Sequence, residues 1–295
     1  MKQFFTLLLS AVLLLCGCSS PERTADIAAT TLPVWEFTSR ICKGTPLTVT
    51  RLVTEEVSCL HDYTLNVRQV KAAEAAEVIV ISGAGLEDFM EDIIRDKHTV
   101  DASTGIDLLI PAEHDHDHED PHHDHNGHDH QQDPHIWLSP VNASVMAENI
   151  FNAMVQMYPQ YHDVFEDNLM QLQLELEQLN VYGLEQLESL RCRDLITFHD
   201  GFAYLADSFS LHILRAVEEE SGSEASAREL IHLIEEVEHH DLPAVFTEKS
   251  GSVSASGIIA RETGCSSYAL DMAMAGDSYF DAMYHNIDTL KEALE

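Results

Sequence analysis

Short apolar runs alternate with amphipathic stretches along most of this chain, and that alternation constrains its fold more than any other feature. The clearest run is Glu77-Val78-Ile79-Val80-Ile81-Ser82, which ends on Gly83-Ala84-Gly85. A strand with no polar alternate residues is buried on both faces, as strands of parallel sheets are. Comparable runs predict strands over 24–32, 47–53, 194–198, 211–217, 244–247 and 266–270. Helical spacing of apolar residues predicts helices over 34–42, 67–76, 86–94, 141–158, 202–209, 225–240, 255–263 and 278–294. Strands that alternate with helices in this way build βαβ units around a parallel sheet, so the expected class is α/β.

Two segments break the rhythm. Residues 114–130 hold eight histidines and six acids in 17 residues, which leaves nothing to bury in a core. Residues 161–190 read as one long amphipathic helix with Phe165, Leu169, Leu172, Leu176 and Leu179 on its apolar stripe. A helix of that length reaches about 40 Å, enough to join two lobes. The expected architecture is two lobes, each a mainly parallel sheet with flanking helices, joined by a long rigid helix. The boundaries expected are 24–140 for the N-terminal lobe, 141–190 for the linking helices and 191–295 for the C-terminal lobe.

The N-terminus has a different character. Lys2 supplies positive charge, and 4–15 is almost wholly apolar, about the length of a signal-peptide core. It is too short to span a bilayer, which takes roughly 20 residues. Leu15-Cys16-Gly17-Cys18 resembles a bacterial lipobox. Residues 1–17 are then a cleaved signal, Cys18 the lipidated residue and 18–23 a solvated tether. The expected location is the outer face of the cell membrane, held there by lipid. A formal charge of −35 argues against nucleic acid as a partner, and it draws cations towards the surface. An exported chain permits disulfides; Cys42 with Cys59, and Cys192 with Cys265, are the expected pairs. No CxxC occurs, which removes a zinc-finger reading.

Outside the histidine-rich run, four side chains stand out as metal-ligand candidates. His199 directly follows the apolar run Leu195-Ile196-Thr197-Phe198, and Asp271 directly follows Tyr268-Ala269-Leu270. Open parallel sheets bind ligands beyond the carboxyl ends of their strands. His61 lies in the loop beyond another such end, and His135 stands in Asp133-Pro134-His135-Ile136-Trp137. Imidazoles with one carboxylate suit a tetrahedral zinc ion.

These segments also carry a family resemblance. His61-Asp62-Tyr63, Asp133-Pro134-His135-Ile136-Trp137-Leu138-Ser139-Pro140, Phe198-His199-Asp200-Gly201-Phe202-Ala203-Tyr204 and Leu270-Asp271 resemble the zinc- and manganese-binding lipoproteins and periplasmic proteins of metal ABC importers. The likeness runs over nearly all of 24–295. It implies two lobes joined by a rigid helix, one metal in the cleft and an ABC permease as partner. It carries the ligand roles to His61, His135, His199 and Asp271. Leu60 stands where the family usually has proline, and Met272-Ala273 where it often has Pro-Leu.

The resemblance also bears on the choice of metal. Manganese-binding members usually have a carboxylate as third ligand; His199 stands there in this chain, and imidazole favours zinc. The cargo expected is Zn2+, taken up by a monomer. His114, His116, His118, His122, His123, His125, His128 and His130 form an expected accessory metal loop. Alternative readings are a manganese carrier, a zinc buffer or adhesin, and a zinc hydrolase. The last lacks GxSxG, and four protein ligands leave no coordination position for water.

Overall fold

A computed structural model describes residues 25–57, 60, 63–109, 132–217 and 226–295. The signal and lipobox residues with Cys18, the ligand candidate His61, Cys59 and the run from His114 to His130 lie outside them.

The first half opens with β1 (Ile27–Ala29), α1 (Leu32–Ile41), β2 (Val49–Arg51) and α2 (Val67–Ala75). It continues through β3 (Val78–Ile81), the short α3 (Glu91–Ile94) and β4 (His98–Asp101). Two helices follow, α4 (Pro140–Met157) and α5 (His162–Gln186). The second half comprises β5 (Asp194–Thr197), α6 (Ala203–Ser208), β6 (His212–Ala216), α7 (Ala227–His239), β7 (Ala244–Glu248), α8 (Ser254–Thr263), β8 (Ser266–Leu270) and α9 (Tyr279–Leu294).

The strands form two four-stranded sheets, ordered β2-β1-β3-β4 and β6-β5-β7-β8, and every pairing is parallel. Both sheets therefore have the same winding. In each, the order reverses once, between β1 and β3 and between β5 and β7. Those reversal points leave a crevice at the carboxyl ends of the strands, where this class of sheet receives ligands.

The local reasons are visible in the residues. All four residues of β3 and all five of β7 are buried, as central parallel strands require. Asn66 caps α2 and Ser226 caps α7, each in a reciprocal capping box with the residue three positions on. Pro33 and Pro140 sit in the first turns of α1 and α4, where the missing N–H costs nothing. Gly264 ends α8 in the left-handed conformation.

The 25-residue α5 buries Phe165, Leu169, Leu172, Leu176 and Leu179, the stripe expected from spacing. It packs on α1 and α4 on one side and on α9 on the other. One apolar cluster accordingly runs from Ile27 through α4 and α5 to Leu294. Phe37 and Tyr279 meet edge to face at 5.1 Å, and the Tyr279 amide donates to buried Glu36 at 2.7 Å. Burial raises the Glu36 carboxyl above its ordinary range, against the pull of that amide and Arg40.

Three expectations need correction. The helix expected over 86–94 is a 3-10 turn at Asp88–Met90 followed by only four α-helical residues. Strand β4 was not expected, because only Val100 of His98-Thr99-Val100-Asp101 is buried at this sheet edge. Cys42, Cys192 and Cys265 carry free thiols, so neither expected disulfide forms. Cys42 is buried just past α1, at the amino ends of the strands, and burial pushes its thiol up to about 12. Cys192 and Cys265 precede β5 and β8, which β7 separates. Two strand spacings come to about 10 Å, beyond the roughly 7 Å that a disulfide can bridge.

Candidate metal centre

His135 is delivered by the connection from β4 to α4. Ile136, Trp137 and Leu138 form a buried 3-10 turn directly after it, and Ser139 then caps α4. The turn holds the histidine from behind. Its side chain is 4 % exposed, and Nδ1 lies 2.8 Å from Oδ1 of equally buried Asp133. The same oxygen accepts the His135 amide at 2.9 Å. A carboxylate only accepts, so the assignment that fits puts the ring proton on Nδ1 and leaves the lone pair on Nε2. That is the tautomer a metal requires, and the carboxylate partner fixes the orientation of the ring.

His199 comes from the other lobe, two residues past β5. Thr197 donates its hydroxyl to the His199 carbonyl at 3.1 Å, tying down the turn. The rings of His135 and His199 stand 5.3 Å apart, centre to centre, and nearly perpendicular. Glu248, the last residue of β7, is buried and places Oε2 4.0 Å from His199 Nδ1. These two residues flank the reversal point of the second sheet, where topology opens the crevice. Gly201 is required here: a Cβ on it would come within 2.9 Å of His199 Nε2 and 2.6 Å of the Met272 methyl.

The two motifs interlock. Tyr204, on α6, donates its hydroxyl to the Asp133 carbonyl at 3.0 Å and accepts the Leu109 amide at 2.9 Å. Burial pushes its phenol up to about 12, so it stays protonated and able to donate. The loop after β8 is fastened as firmly. Trp137 Nε1 donates to the Met272 carbonyl at 2.7 Å, and the Leu32 amide donates to the Met274 carbonyl at 3.1 Å. Arg51 reaches the Gly276 carbonyl at 2.7 Å.

Asp271 begins that loop. Asn286, fully buried on α9, clamps its backbone with two bonds of 2.7 Å: Oδ1 accepts the Asp271 amide and Nδ2 donates to the Asp271 carbonyl. Its carboxylate accepts the Ala273 amide on Oδ1 at 2.8 Å and the Lys249 ammonium on Oδ2 at 3.0 Å. Ala273 has φ +51, and the bond from its amide to Asp271 supports that left-handed conformation.

Of the expected ligands, then, His135 and His199 are brought together with their rings nearly perpendicular, and Asp271 stands just past β8 with its carboxylate engaged by Lys249. His61 lies outside the described residues, although Leu60 beside it is buried. Among the described residues, the metal-type side chains whose ligand atoms gather within 4.8 Å of one another in a group of three are His162, Asp163 and Glu166. All three are exposed on the first turns of α5. Sequence reasoning missed that i, i+1, i+4 group, and also missed Asp133, Glu248, Lys249 and Asn286. Only Asp133 carried a local signal, two residues before His135. Among the described residues no helix is long and apolar enough to cross a membrane.

Comparison with known proteins finds metal-binding relatives of this chain. A family model described as "Zinc-uptake complex component A periplasmic" (ZnuA) matches residues 27–293. The zinc-binding lipoprotein AdcA of Streptococcus pneumoniae is 28 % identical over 315 aligned residues, which take in 100 % of this chain. The chain spans 62 % of that relative's length. A putative metal-binding protein of Treponema pallidum is 26 % identical, covering 94 % of this chain and 91 % of its own. A crystal structure of ZnuA superposes with a TM-score of 0.76 at 28 % identity, covering 92 % of this chain and 100 % of that one.

Proposed function

The chain belongs to the family of periplasmic zinc-uptake component A, and from that premise we propose that it captures zinc outside the cytoplasmic membrane and delivers it to the permease of an ABC importer. The metal is cargo. His61, His135, His199 and Asp271 hold it, and the histidines from His114 to His130 gather it as an accessory loop. Lipid on Cys18 keeps the protein at the membrane face. The reading is one of transport rather than catalysis, and the carrier acts as a monomer.

The observation that carries the proposal is the facing pair His135 and His199, one from each half of the chain, at the sheets' carboxyl ends. An imidazole from each side lets one ion close the crevice, and nitrogen donors rank zinc above manganese. The zinc-binding name of the pneumococcal relative agrees with that choice.

Elemental analysis and native mass spectrometry of the full chain, purified without added metal, test it. One tightly held zinc is expected, lost in His135→Ala and His199→Ala while circular dichroism is unchanged. His199→Glu should shift preference towards manganese. A wild-type chain that takes up no zinc, or both alanine variants binding it unchanged, would overturn the proposal.

A further inference from the structure

The ion pair between Lys249 and Asp271 has a role beyond surface charge. We propose that Lys249 is a resident counter-cation that the incoming metal must displace from Asp271, and that its return to the carboxylate speeds metal release. The inference rests on Asp271 being a ligand, as argued above.

The pairing is built by the sheet. The register of β7 with β8 sets Glu248 opposite Leu270, and the Lys249 amide donates to the Leu270 carbonyl at 2.8 Å. Lys249 and Asp271 are therefore the next facing pair, at the carboxyl end where the crevice opens. The Asp271 side chain is only 16 % exposed, while that of Lys249 is 55 % exposed and reaches in from solvent. Each Asp271 oxygen already accepts a hydrogen bond, Oδ1 from the Ala273 amide and Oδ2 from the ammonium. The amide belongs to a fixed turn. The ammonium is the movable partner, on four rotatable carbons.

A divalent ion and an ammonium compete for one carboxylate at close range, since like charges a few ångströms apart repel even near solvent. Lys249 must swing away when metal binds, and an alternative carboxylate is at hand. Glu56, on the segment after β2, lines the same small cavity as Lys249, Glu248, Asp271 and Met272. On the outer side, a wider cavity of about 290 Å3 is lined by Lys249, Asp271, Asp277, Asp281 and His285. The swing therefore leaves the ammonium among acids. A carrier has to let its cargo go, and a tethered cation ready to reclaim the vacated carboxylate lowers the cost of that step.

The test measures zinc affinity and zinc dissociation in wild type, Lys249→Gln, Lys249→Arg and Asp271→Asn, using the full chain. Competition with a chromophoric chelator gives affinity, and stopped-flow transfer to excess chelator gives the rate. Removing a partly exposed competing charge should tighten binding and slow dissociation about three- to tenfold in Lys249→Gln. Lys249→Arg, which keeps the charge, should stay near wild type. In the Asp271→Asn background the same glutamine change should have no further effect, because the interaction is pairwise. A Lys249→Gln chain that releases zinc at the wild-type rate or faster overturns the role of Lys249 and leaves the carrier reading standing. A wild type without tight zinc overturns the carrier reading itself.

Discussion

His135 and Asp133 share a 2.8 Å contact between ring Nδ1 and carboxylate Oδ1, with both side chains almost wholly buried. This contact fixes a tautomer and a ring orientation at once. The buried carboxylate also accepts the His135 amide, so the pair is a rigid unit rather than two rotamers that happen to meet.

Asp133→Asn keeps the shape and removes the charge. An amide oxygen in the place of Oδ1 can still accept both contacts, but without the negative charge it holds the Nδ1 proton less firmly, and the ring is freer to carry its proton on Nε2. Loss of such a partner typically costs 10–100-fold in metal affinity. Zinc competition assays on Asp133→Asn should fall in that range, with the melting temperature changed far less than in Asp133→Ala. Affinity within twofold of wild type would remove Asp133 from the site.

Gly201→Ala tests the spacing around the other histidine. An added methyl would meet His199 Cδ2 at 2.7 Å and the Met272 methyl at 2.6 Å. Met272 is the flexible neighbour and can yield; His199 has Glu248 at one side and the Thr197 bond at its backbone. The imidazole should be pushed from its position facing His135. We expect zinc affinity to drop by at least tenfold while thermal stability changes by no more than about 1–3 kcal/mol, the usual cost of overpacking. Isothermal titration and thermal melts separate the two effects.

Much of this was legible in the chain, for identifiable reasons. Fully apolar runs such as Val78–Ile81 announce central parallel strands, and the five-residue apolar stripe of α5 announces the bridging helix. His135 and His199 were legible because each stands in a short segment of unusual residues at a strand or turn boundary. The polar edge strand His98–Asp101 was not, since solvent on one side and one neighbour on the other demand no hydrophobic run. Lys249 was not, because its partner lies 22 residues away and a lone lysine after a strand carries no ligand signature. The Cys192–Cys265 expectation went wrong because the order of strands in a sheet, with β7 between β5 and β8, cannot be read from the spacing of the cysteines.

Glu87 gives the first lobe a pH dependence with a definite sign. It is wholly buried behind the ends of β1 and β3, where it accepts from the Thr30 hydroxyl and the Ser82 and Gly83 amides. Desolvation outweighs those bonds and raises its carboxyl from 4.5 to about 7. Between those values the folded chain holds a proton that the unfolded chain has lost. Stability from this group is therefore greatest below pH 4.5 and declines as pH rises to about 7, by up to roughly 3 kcal/mol. Glu87→Gln should remove that decline. Melting temperatures of the two proteins, compared from pH 5 to 8, should diverge in favour of the glutamine variant as pH rises; parallel profiles would contradict the burial argument.

Trp137→Phe probes how the Asp271 loop is held. The indole N–H makes the 2.7 Å bond to the Met272 carbonyl, and the ring is fully buried. Phenylalanine keeps an aromatic ring but deletes the donor, leaving that carbonyl to find water in a packed setting. The orphaned acceptor costs about 1–3 kcal/mol, and the lost ring volume adds a cavity term. Two further fastenings of the loop, Leu32 to Met274 and Arg51 to Gly276, remain. The fold should therefore survive with a lower melting temperature. The local consequence should be larger than the global one, because Met272 is the residue next to Asp271 and its methyl packs towards His199 through Gly201. Zinc affinity should fall more in Trp137→Phe than in Phe37→Leu, a core change of similar stability cost in α1 that leaves the Met272 bond intact. Equal affinity losses in the two variants would mean that the indole bond contributes only stability, and that the Asn286 clamp with the remaining loop fastenings keeps Asp271 in place.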